Sequence, residues 1–71
     1  MISYDPLWRT LRLRNISTYK LVKYYDFSTN TIYRLRHNMG ISTAMIDRLC
    51  SLLDCKIEDV LLYIPNKDHM V

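Results

Sequence analysis

The sequence predicts an all-α protein, a compact bundle of five short helices. Three observations lead there. Apolar residues recur at helical spacing in five short stretches, and Ser, Asp or Asn stands at most of the points where those stretches begin or end. The 71 residues also hold only one glycine and two prolines, with 49% apolar side chains, which excludes a disordered chain and a loop-rich disulfide scaffold alike. The length bounds the chain to a single domain, residues 1–71. A domain of this size buries only about 60% of its unfolded surface, so tight helix packing or a second copy must complete the core.

The first helix is expected over Pro6 to Arg14. Asp5 can cap its first amides, and Pro6 is pre-organised for the first helical position. Leu7 and Leu11 lie one turn apart and face the core with Trp8, while Arg9 and Arg12 look outward. Trp8 could stack on a base, but a tryptophan beside two leucines is better explained as core. Asn15 can take the left-handed position that ends the helix. Ser17 then caps a second helix, Thr18 to Tyr25, with Leu21, Val22 and Tyr25 turned inward.

After a three-residue corner, Ser28 caps a third helix, Thr29 to Arg36, in which Ile32 and Leu35 supply the buried stripe. Thr29, Asn30, Tyr33, Arg34 and His37 then face outward. They form a surface of amide, hydroxyl, aromatic and cationic groups without an acid, which suits nucleic acid. Tyr33 in particular has no packing role within a monomer. The stretch His37-Asn38-Met39-Gly40 ends this helix and contains the only glycine in the chain.

Ser42 caps a fourth helix, Thr43 to Leu53, whose Ile46, Leu49, Cys50 and Leu53 stand at core spacing. A fifth helix is expected over Ile57 to Tyr63. Ile57, Val60, Leu61 and Ile64 repeat the spacing, Glu58 and Asp59 complement the helix dipole in the first turn, and Pro65 stops it, although Lys56 is a poor cap. Residues 66–71 read as a polar tail. Ile2 to Tyr4 and Leu62 to Ile64 are apolar and terminal, and they could pair as short strands or dock across a dimer; the sequence leaves both open.

The net charge is +3, but it is unevenly spread. Between Arg9 and Arg36 seven bases face the single acid Asp26, whereas from His37 onward five acids face three bases. A basic half attracts phosphate and speeds encounter with nucleic acid. Other chemistries find no support. Cys50 and Cys55 lie five positions apart and no histidine completes a zinc-like spacing, so no metal or cofactor is expected and both thiols are expected reduced. There is no phosphate-binding glycine loop, no nucleophile with an evident base, and no small-molecule substrate is implied. No apolar run approaches the roughly 18 residues of a membrane span, and a cytoplasmic location is expected.

The stretch from Ser17 to His37 resembles the helix-turn-helix of the Cro and phage-repressor type transcription regulators, the lambda-repressor-like DNA-binding domains. Ser17 matches the cap of the motif's first helix, Leu21 its buried aliphatic, Phe27 the apolar residue in the turn, and Ser28 the second cap. Ile32 and Leu35 match the buried pair of the recognition helix, and the flanking helices extend the resemblance over most of the chain. Asp26 stands where the family usually has glycine, and it tolerates the left-handed conformation better than most residues. Val22 replaces a usually small residue.

The resemblance implies a sequence-specific regulator of transcription that binds double-stranded DNA as a homodimer on a short palindrome. Helix three would enter the major groove amino end first, with Thr29, Asn30, Tyr33 and Arg34 as base contacts. Asn30 matches the donor and acceptor of adenine, and Arg34 can fork onto guanine or grip a phosphate. Ser17 and Thr18, at the positive end of helix two, are the expected phosphate site, with Arg12, Lys20, Arg36 and His37 as further backbone contacts. The alternative is a protein-interaction module, antitoxin-like or antirepressor-like, that uses the same face for a partner protein. Such a surface would favour Leu, Phe or Met where this one offers Thr, Asn, Tyr, Arg and His.

Overall fold

The computed structural model describes residues 1–65, so the polar tail expected at 66–71 lies outside the described residues. The elements run β1 (Ile2–Ser3), α1 (Asp5–Arg14), α2 (Thr18–Tyr25), α3 (Thr29–Arg36), α4 (Thr43–Leu53), a single 3-10 turn (Ile57–Asp59) and β2 (Leu62–Tyr63). Four helices therefore form among the described residues, all at or within one residue of the expected positions.

Serine hydroxyls start three of them. Ser17 accepts from the Lys20 amide at 3.2 Å, Ser28 from Thr31 at 3.0 Å, and Ser42 from Met45 at 3.1 Å. Each supplies an acceptor to an amide that has no partner inside the helix. The start of α1 differs from expectation. Asp5 is its first residue rather than its cap; Tyr4 stands at the cap position without a side-chain bond, and the Asp5 amide donates instead to the Ser3 hydroxyl at 3.2 Å.

The helix ends use left-handed residues other than glycine: Asn15 at φ 59°, Asp26 at 65° and Asp54 at 50°. After α3 it is Asn38, at φ 55°, that takes this conformation, and Gly40 does not. Asn and Asp visit the region at lower cost than other side chains with a Cβ.

The expected fifth helix does not form. The Asp59 carboxylate accepts from the Lys56 amide at 3.0 Å, and the Asp59 amide returns to the Lys56 carbonyl at 3.0 Å, which closes one tight turn. The chain then extends, and β2 pairs antiparallel with β1 in the register Ile2 to Tyr63 and Ser3 to Leu62. Of the open alternatives for the terminal segments, strand pairing is thus the one observed. Val60 is fully buried and Leu61 half-buried, but Ile57 and Ile64 are exposed, so the helical stripe expected there is broken.

The core gathers Tyr4, Leu7, Leu11, Leu21, Phe27, Ile32, Leu35, Leu49, Leu53 and Val60, with Trp8, Val22, Met45 and Cys50 packed at its edge. Burying one such leucine side chain stabilises the fold by about 1.5–3 kcal/mol. Two inward expectations are corrected. Tyr25 is 37% exposed, because the chain turns away directly after it, and Ile46 is only half-buried. Among the described residues, no helix is long and apolar enough to cross a membrane.

Candidate nucleic-acid interface

The angle between α2 and α3 is set by Asp26, Phe27 and Ser28. Phe27 is 2% exposed, and its amide donates to the Leu21 carbonyl at 3.0 Å, folding the turn back onto the end of α2. With Ile32 and Leu35 buried beneath it, α3 leaves Thr29, Asn30 and Tyr33 exposed on its outer side. Tyr33 stacks on His37, one turn later, with ring centroids 4.2 Å apart and planes tilted by 41°. The pair extends the outer face as one aromatic ledge.

Arg34, expected on that face, and Arg36, expected as a phosphate contact, are both anchored within the free protein. Arg34 is half-buried and donates from Nε to the Gly40 carbonyl at 2.8 Å, which ties the end of α3 to the loop leading into α4. Arg36 donates to the Thr18 hydroxyl at 3.1 Å, and its guanidinium carbon lies 5.5 Å from the Trp8 ring centroid. One side chain from α3 thereby links α1 and α2. Trp8 is accordingly a half-buried packing residue with a cation over its ring rather than a free stacking platform.

The residues expected to take phosphate divide in the same way. Arg12, Ser17 and Lys20, with Asn15 and Ile16, line an open cavity of about 430 Å³ at the start of α2. Two cations and the N-terminus of α2 converge there, which is the electrostatic environment an anion requires. Lys20 reaches back to the Asn15 carbonyl at 3.4 Å. Thr18 sits beside this cavity with its hydroxyl held by Arg36. A second cavity, of about 240 Å³, opens where α3 meets α4, lined by Thr31, Arg34, Ser42 and Met45 among others.

Several contributors carry no local signal in the sequence. Tyr4, 2% exposed, donates its hydroxyl to the Met39 carbonyl at 2.8 Å, and its amide donates to the Asn38 side chain at 3.0 Å. The loop after α3 is thus latched to the residue between β1 and α1. Arg48 of α4 places its guanidinium carbon 4.4 Å from the Phe27 ring centroid and donates to the Tyr25 carbonyl. The only hint of it in the sequence is a single arginine in the half of the chain where acids outnumber bases.

A capped helix pair with a short, buried turn and a polar, acid-free outer face on the second helix defines a helix-turn-helix protein. The family model of the Cro/C1-type HTH DNA-binding domain matches residues 6–66, and the chain belongs to that family. Among solved structures it is similar to the crystal structure of the transcriptional regulator VanUg, at 26% sequence identity and a TM-score of 0.82, covering 92% of this chain and 87% of that one. No curated protein matches it.

Proposed function

We propose that the protein is a sequence-specific regulator of transcription that binds double-stranded DNA as a homodimer on a short palindrome. The observation that carries this reading is the juxtaposition of the outer face of α3 with the basic cavity at the start of α2. With α3 in the major groove, Thr29 and Asn30 at its amino end reach base edges and Tyr33 lies against a thymine methyl or sugar edge. Asn30 pairs with adenine through its donor and acceptor, a contact that discriminates by about 1–3 kcal/mol. Arg34, committed to Gly40 through Nε, has its terminal nitrogens left for a guanine or a phosphate. Arg12, Ser17, Thr18 and Lys20 seat one phosphate at the α2 cavity, while Arg36 and His37 flank the backbone path and fix register.

The dimer is supported by the strand pair. Met1, Ile2, Leu62, Tyr63 and Ile64 are all exposed on it, an apolar group of a kind that marks association surfaces. A single module of this size makes few base contacts, and two copies on a palindrome double them.

Fluorescence anisotropy with a labelled duplex at several salt concentrations tests the reading. Binding should weaken with salt at a log-log slope of about −0.9 per phosphate neutralised. Asn30→Ala should lose discrimination by roughly tenfold with the slope unchanged. No binding at low salt would refute it for this chain.

A further inference from the structure

We infer that Arg48 is a positioning residue for DNA recognition: from α4 it clamps the turn between α2 and α3 and so holds the recognition helix at its reading angle. The inference rests on the DNA-binding reading above. Three residues, Asp26, Phe27 and Ser28, connect the two helices, and Arg48 touches Phe27 among them and Tyr25, the last residue of α2. Its guanidinium lies over the Phe27 ring, with 4.4 Å between the guanidinium carbon and the ring centroid, and it donates to the Tyr25 carbonyl. That carbonyl is one of the four at the end of α2 that the helix itself cannot satisfy, and a cation is favoured there by the helix dipole as well.

The turn needs such a clamp. Asp26 holds φ 65°, a conformation glycine adopts freely and a residue with a Cβ adopts only at a cost. The chain contains no glycine in this turn to relax it. Within the turn, the Phe27 amide bond to Leu21 secures the α2 side, while Arg48 supplies the tie from a separate helix. Its planar face and one terminal nitrogen are both spent on these contacts, so its charge acts on the turn rather than on a phosphate. A loosened turn would let α3 sample several angles. Only the fraction at the correct one would read bases, whereas non-specific attraction to the backbone tolerates the spread.

The test compares the parent chain with Arg48→Met and Arg48→Lys at a temperature where all are folded. The preferred duplex is first selected with the parent. For Arg48→Met, the ratio of affinity for that duplex over a random one should fall about tenfold, equivalent to about 1.4 kcal/mol, with the salt slope on random DNA unchanged. Arg48→Lys keeps a donor for the Tyr25 carbonyl but not the planar face, and should recover part of the ratio. In the free protein, the Phe27 amide should exchange its hydrogen faster in Arg48→Met.

A salt slope shallower by about 0.9 would make Arg48 a phosphate contact and overturn the inference. An unchanged ratio with unchanged exchange would overturn it too, and so would a loss of affinity for both duplexes in equal proportion, the signature of a merely structural role. If the parent binds no duplex, the proposed function fails and the positioning role with it. The exchange measurement still separates that case, because it reports the clamp without DNA.

Discussion

Replacing Arg36 by methionine separates two roles that the same side chain could fill. As a phosphate contact it would act on DNA alone; in the free protein it instead bridges three helices through Thr18 and Trp8. The guanidinium over the indole is worth about 0.5–1 kcal/mol at a partly exposed site. The bond to the Thr18 hydroxyl adds about 0.5–1.5 kcal/mol, less for its exposure. Methionine keeps much of the aliphatic contact with Trp8, so the net loss is about 1.5 kcal/mol. For a domain of this length each kcal/mol moves the melting temperature by about 4–8 °C, and Arg36→Met should melt roughly 6–12 °C lower. Thermal unfolding followed by circular dichroism measures this. A double-mutant cycle with Thr18→Val should return a coupling of about 0.5–1 kcal/mol between the two side chains. The reasoning is refuted if the melting temperature stays put while the salt slope of DNA binding becomes shallower by about 0.9, since Arg36 would then serve phosphate and not the fold.

Tyr4→Phe removes one hydroxyl and leaves the Met39 carbonyl without its donor; unfolding by urea should show a loss of about 1–1.5 kcal/mol, with faster hydrogen exchange in the loop after α3. Cys55 gives a pH-dependent outcome. Burial, foremost, with the neighbouring Cys50 and Asp59, pushes its thiol above the ordinary value of 9.0 against a smaller opposing pull from Arg14. The folded chain therefore holds this proton more tightly than the unfolded one, so the contribution to stability is complete below the ordinary thiol value and is lost as pH rises through the raised one. Denaturant unfolding at rising alkaline pH should show a steeper decline in the parent than in Cys55→Ser, and alkylation of Cys55 should lag that of an unfolded control at the same pH. Equal pH dependence in the two proteins would show that the thiol is not held protonated by the fold.

The parts of this structure that sequence alone makes legible are those with a local cause. Ser17, Ser28 and Ser42 announce their helices because a cap acts on an amide two or three residues away. Leu7, Leu11, Leu21, Ile32, Leu35, Leu49 and Leu53 mark their buried faces through the helical period. The segment after Lys56 misleads because a short apolar run fits a helix and a strand equally well. What decides it is β1, some 60 positions earlier in the chain, which offers open hydrogen bonds to pair with. The recognition face shows the same division at the scale of single side chains. Helical geometry turns Thr29, Asn30, Tyr33, Arg34 and His37 away from Ile32 and Leu35, and all of them but the half-buried Arg34 are exposed. A short side chain at such a position stays where the helix puts it, so Thr29 and Asn30 are legible as free groups. A long one can bend back along the surface, and its partner is then chosen by whichever backbone oxygen or ring the rest of the fold brings near. Arg34 finds Gly40, Arg36 finds Thr18 and Trp8, and Arg48 finds Tyr25 and Phe27. Arg34, Arg36 and Arg48 are thus held, in the free protein, as struts around α3, while Thr29, Asn30 and Tyr33 remain exposed on its outer side.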